Sequence, residues 1–110
     1  MGSVNNVAAG PTFIELAGGE NYVGTAGVWE DWDLSGIVPT GTQYVLVFNN
    51  FSIGGNAFNG VRENGSVLDR QFSITGPFTW IVHVANPITR IIEVYSDAAR
   101  SHFNIMGYWL

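Results

Sequence analysis

Apolar residues along this chain fall in short runs that alternate with polar positions, and turn-forming residues part the runs at short intervals. Fourteen glycines and four prolines interrupt every window of helical length. The pattern predicts an all-β fold of about eight strands, a single antiparallel sandwich of jelly-roll type. Thr12 to Leu16 is the first predicted strand and Ala17 to Asn21 a turn after it. Tyr22 to Val28 is the second, with Gly24 and Gly27 as twist or bulge positions. Gln43 to Phe48 is almost continuously apolar, which predicts a strand in the middle of a sheet with an extension toward Ile53. Ala57 to Arg62 and Val67 to Ile74 are expected to pair as a hairpin around Asn64-Gly65. Thr79 to Ala85 alternates Trp80, Val82 and Val84 against Ile81 and His83, so the two sets should take opposite faces. Arg90 to Tyr95 and His102 to Tyr108 complete the set.

Composition narrows the function. The 110 residues suffice for one domain with a real core, 46% of them being hydrophobic. Residues 12–110 are expected to form it, with residues 1–11 as a flexible, small and polar arm. Only 12% of residues are charged, about half the usual share, which favours a chain whose faces are covered by neighbours. The net charge is −5 and lysine is absent. Arg62, Arg70, Arg90 and Arg100 are scattered, so no basic stripe exists for nucleic acid or an acidic membrane. Cysteine is absent too, which removes disulfides, thiolate metal sites and cysteine nucleophiles. Met1 to Gly10 has neither a basic start nor an apolar centre, so no signal peptide is expected and the chain is expected to be soluble when made.

Several constellations invite chemistry. Glu30-Asp31-Trp32-Asp33 is the densest acidic cluster, but no ligand loop surrounds it, so no metal and no cofactor are expected. Trp29, Trp32 and Tyr44, with Tyr22 in the same part of the chain, could present an aromatic platform for a sugar ring. That gives the alternative reading of a carbohydrate-binding module, with a glycan as ligand. His83 and His102 are the only general bases near neutral pH, and Ser101 adjoins one of them without a nucleophile-elbow motif. Catalysis therefore requires a histidine to meet a carboxylate in a cleft, and no catalytic residue is assigned. Asn64-Gly65-Ser66 matches a glycosylation sequon, yet its hairpin role accounts for it. Arg62 and Arg70 are expected to lie across the hairpin strands from each other or from Asp69 and Glu63, fixing register or meeting a neighbour.

Four blocks give the chain a resemblance. They are Trp32-Asp33-Leu34-Ser35 leading to Val38-Pro39, Gly60 to Ser66, Arg90 to Tyr95, and Phe103 to Trp109. Together they resemble short β-sandwich virion proteins of tailed phages. The resemblance implies a non-catalytic capsid-decorating or cementing protein, or a tail-associated one, at the virion surface. Its partners would be further copies, as a trimer or larger assembly, and a major capsid or tail protein. Tyr108, Trp109 and Leu110, together with Arg62 and Arg70, are the expected assembly contacts.

Overall fold

The computed structural model describes residues 12–17, 21–23, 27–51, 57–69, 71–74, 77–96 and 101–110, which form nine strands and no helix. The strands are β1 (Phe13–Glu15), β2 (Asn21–Val23), β3 (Trp29–Asp33), β4 (Tyr44–Phe51) and β5 (Ala57–Glu63). They continue with β6 (Gln71–Ile74), β7 (Phe78–His83), β8 (Ile91–Ser96) and β9 (Ser101–Trp109). The expected arm, residues 1–11, lies outside the described residues, as does Arg70 among the expected contacts.

One sheet has the order β1-β9-β4-β7 with β2 also on β9, and the other has the order β3-β8-β5-β6. Every pairing is antiparallel. Because β1 and β2 occupy successive stretches of one edge, the nine segments fill eight strand positions. The pairs then nest: first position with last, β3 with β8, β4 with β7, and β5 with β6. This nesting is a rolled-up hairpin, the jelly-roll topology.

The core lies between the sheets. Val45, Val47, Val82, Phe103 and Ile105 enter it from one sheet, and Trp32, Val61, Ile92 and Val94 from the other. The alternation expected on β7 holds, since Val82 and Val84 are buried while Ile81 and His83 are exposed. β4 is central, flanked by β9 and β7, as its apolar run requires.

Three local expectations change. Ala17 does not start a reversal, because β1 and β2 both run antiparallel to β9 and in the same direction. Glu15 and Asn21 are six positions apart while their partners Gly107 and Asn104 are three apart, so the register on β9 shifts between β1 and β2 (21 − 15 = 6; 107 − 104 = 3). Trp29–Asp33, left unassigned by its acids, is a full strand on β8. The connection after β5 is longer than the expected Glu63 to Ser66, since the last β5–β6 pair is Gly60 with Gln71. Val61 to Glu63 remain paired with β8 but not with β6. Gly65, at φ 87°, turns the chain beneath a bond from Ser66 N–H to Glu63 C=O (3.2 Å).

Two side chains close the ends of this architecture. Asp33 accepts a hydrogen bond from the Ser35 amide at 2.9 Å and so ends β3 in a tight turn. Arg90, itself at φ 57°, donates to the carbonyls of Ile88 (2.9 Å), Ser35 (3.3 Å) and Val38 (3.0 Å), tying the β3–β4 turn to the start of β8. The Ser35 amide and hydroxyl, with Arg90 nearby, hold the Asp33 carboxyl below its ordinary value of 3.8. A lowered carboxyl contributes stability that is complete above the ordinary value and disappears as pH falls through the folded one. Chemical denaturation of the parent and Asp33→Ala should therefore differ at pH 7, and the difference should shrink as pH falls below 3.8.

Gly107 gives a second test. A Cβ there would overlap the Phe13 ring and sit 2.7 Å from the Ile14 carbonyl oxygen. Gly107→Ala should displace β1 and cost about 1–3 kcal/mol in urea unfolding.

Candidate functional site

The two sheets present different outer faces. On the β3-β8-β5 face, the in-register row Asp31–Glu93–Arg62 lies beside Trp29–Tyr95–Gly60. Glu93 and Arg62 are 12% and 14% exposed and form an ion pair at 2.7 Å. The second Glu93 oxygen accepts from Asn64 Nδ2 (3.2 Å) and from the Gly65 amide (2.8 Å). Arg62 also donates to the Leu68 carbonyl (2.7 Å), and its guanidinium lies 3.9 Å from the Trp29 ring centroid. Asn64 further donates to Asp31 (3.1 Å). This network folds the excursion after β5 back onto the sheet. Arg62 thus meets neither Glu63 nor Asp69, as its position in the chain suggested, but Glu93. Its donors serve the chain's own fold.

On the other sheet the outer face is apolar. Register places Phe13, Trp109, Tyr44 and His83 in one row across β1, β9, β4 and β7. Phe13 and Trp109 have ring centroids 4.7 Å apart, and Tyr44 and His83 5.1 Å apart. The next row holds Leu46 and Ile81, and the β9 bulge adds Met106. Ile81 is 68% exposed, and Phe13, Tyr44 and Met106 are exposed as well. Glu15 and His83 are the ionisable groups of these two rows.

Between the two sheets, at the β5–β7 margin, lies an open cleft of about 310 Å³. It exists because β6 leaves β5 after Gly60, so Val61 to Glu63 have a strand partner on β8 alone. Val61, Trp80 and Val82 form its apolar side, and Glu63, Ser66 and His83 its polar side. His83 Nδ1 and Glu63 Oε2 are 2.9 Å apart, and both side chains are half exposed.

The aromatic platform expected from Trp29, Trp32 and Tyr44 does not assemble. Trp32 is 6% exposed and belongs to the core. Trp29 is covered by Arg62, and Tyr44 lies on the opposite sheet. Of the expected assembly contacts, Tyr108 packs toward the core, Trp109 stands on the apolar outer face and Leu110 is exposed. His83 does meet a carboxylate in a cleft, but Ser66 Oγ there accepts from the Leu68 amide (3.1 Å) and is not bonded to the imidazole. His102 pairs with Asn50, six residues along β4 from the Tyr44 that pairs with His83, so the histidines are about 20 Å apart (50 − 44 = 6). Among the described residues no group of three or more His, Asp or Glu could hold a metal ion. The outer row and the cleft were both missed from sequence. The alternation Tyr44, Leu46, Phe48 is the one signal that could have exposed an apolar outer face.

Comparison with known proteins adds no relative: no family model, curated protein or solved structure matches the chain.

Removal of the Glu93 carboxylate should leave Arg62 and the Gly65 amide without their acceptor. Glu93→Ala is expected to cost about 2–4 kcal/mol in chemical denaturation. The double variant Arg62→Met/Glu93→Leu should recover most of that loss.

Proposed function

We propose that this chain is a non-catalytic virion structural protein, a capsid-decorating or tail-associated subunit that assembles with further copies of itself. The observation that carries the reading is the apolar outer face of the β1-β9-β4-β7 sheet. Its two rows gather Phe13, Trp109, Tyr44, Leu46, Ile81 and Met106 on one surface, and the largest exposed apolar patch of a small domain is often functional. The occupant is a second copy for an electrostatic reason. Like chains of charge −5 repel each other, yet Asp31, Asp33 and Glu93 point out from the opposite sheet. Two copies meeting through the face whose rows hold one carboxylate, Glu15, keep Asp31 and Asp33 in water and apart. An interface of about 800 Å² per partner needs more than this patch, which favours a ring or array in which each copy makes several contacts. The four blocks that resemble phage virion proteins support the same role, and a major capsid or tail protein is the partner on which such an array would be fixed.

Light scattering across a hundredfold concentration range tests the self-association. The parent chain should form a trimer or larger closed species, and Tyr44→Glu should dissociate it by burying a charge in the interface. A parent that stays monomeric throughout overturns this assembly. The virion role is tested by density-gradient sedimentation of virus particles from producing cells. The chain should band with the particles, and recovery only in the protein fraction at the top would sink that role.

A further inference from the structure

We infer that the cleft at the β5–β7 margin binds a neutral, polyhydroxylated ring, the chemistry of a hexose or N-acetylhexosamine. The site shares His83 with the outer row proposed above for self-association, but Trp80, Glu63 and Ser66 lie outside that row. Its volume of about 310 Å³ stands at the lower end of small-ligand sites, roughly 300–1,000 Å³, and suits one ring. Its two sides match the two sides of a sugar. Trp80, on the inner parity of β7 and half-buried beside Val82 and Val61, offers an indole surface for the C–H face of the ring. Glu63, His83 and Ser66 supply hydrogen-bonding groups for its hydroxyls. The 2.9 Å contact uses one oxygen of Glu63 and one nitrogen of His83, and among the described residues Glu63 Oε1 and His83 Nε2 make no other bond. Ser66 Oγ accepts from Leu68 N–H, which leaves its own O–H to donate. An acceptor, a group that donates or accepts by tautomer, and a donor thus border one apolar wall.

Charge excludes the other small ligands. Arg62 borders the cleft, but its guanidinium is committed to Glu93 and the Leu68 carbonyl. The Glu63 carboxylate then repels phosphates and acidic sugars. A metal ion would find one carboxylate and one imidazole, too few ligands for a closed site. Neutral hydroxyls, by contrast, gain charge-assisted bonds from the carboxylate without bringing a charge to desolvate.

The test titrates the uniformly 15N-labelled chain with glucose, galactose and N-acetylglucosamine up to tens of millimolar, read by two-dimensional NMR. At least one sugar should give saturable shifts at the Trp80 indole and at the amides of 61–63, 66 and 80–83. Glu63→Ala, with an unchanged spectrum elsewhere, should weaken that binding about tenfold or more. The absence of saturable shifts with all three sugars overturns the inference, and so do shifts confined to the outer row around Tyr44. The Phe13→Glu chain, altered at the end of the outer row farthest from His83, should bind as the parent does in the same titration, which separates this result from the outcome of the assembly test.

Discussion

One carboxylate organises the most elaborate part of this molecule. Glu93 stands on the outer face of a sheet but is nearly buried, so it needs compensation from several donors. It obtains that from Arg62 across the β5–β8 ladder and from Asn64 and Gly65 on the turn that follows. A carboxylate bonded in this way fixes which residues of β5 face which residues of β8, because a slip of one position would send it to the other face. It also fixes where the chain goes after Glu63. The excursion is drawn back over the sheet, Leu68 supplies a carbonyl to Arg62, and Ser66 and Glu63 are carried to the margin where they meet β7. The cleft wall on that side is a consequence of the ion pair on the outer face. Buried pairs of this sort are seldom the cheapest route to stability, since apolar residues of similar volume serve as well. Their advantage is geometric definition, and here that definition is passed to a loop that no ladder holds.

The same economy of charge separates the two outer faces. On β3, β5 and β8, Arg62 and Glu93 engage each other, Asp31 engages Asn64 and Asp33 the Ser35 amide, while the outer rows of the opposite sheet show mostly rings and aliphatic chains. Sandwich sheets need one apolar face each for the core. β4 has two, with Val45 and Val47 inward and Tyr44, Leu46 and Phe48 outward. The near-continuous apolar run that places β4 in the centre of its sheet is therefore more than its position demands. Flanking by β7 and β9 explains its backbone pairing, and the core explains one of its faces. Its outer face is explained by neither.

Much of the fold was legible because period-two patterning reports burial directly. Val82 and Val84 against Ile81 and His83 assign β7, and the apolar run of Gln43 to Phe48 assigns the centre of a sheet. Patterning reports faces, however, and not partners. Nothing in Thr12 to Leu16 and Tyr22 shows that both stretches lie along β9 in the same direction, since glycine between strands serves a bulge as readily as a turn. Trp29–Asp33 was hidden because two of its outward residues are acids, and the hydrogen-bond partner of Asp31 on the sheet, Asn64, lies far along the chain (64 − 31 = 33). Asn64-Gly65 misled for a related reason. The pair is a strong local hairpin signal, but Glu93 recruits both residues, and the ladder closes five residues earlier than the turn (65 − 60 = 5). The cleft could not be read at all, because it is made by where β6 stops.

The distribution of satisfied and unsatisfied groups also decides which residues recognition falls to. Three of the four blocks that carry the resemblance to virion proteins meet in space: Trp32 to Val38 and Arg90 to Tyr95 through Arg90 and the β3–β8 ladder, Gly60 to Ser66 through Glu93. Their most distinctive residues, Arg62, Asn64, Gly65, Arg90 and Glu93, spend their hydrogen bonds inside the chain. A residue so engaged has little left for a neighbour, and removing it unfolds a turn before it weakens an interface. The distinctive motif is thus accounted for by folding. What remains for a partner is the plainer set of Phe13, Tyr44, Ile81, Met106 and Trp109 on one face, and Trp80, Glu63 and His83 at the margin. Alone in the sequence these residues look like ordinary strand filler. Register aligns the first set across four strands, and the ending of β6 opens the second to solvent.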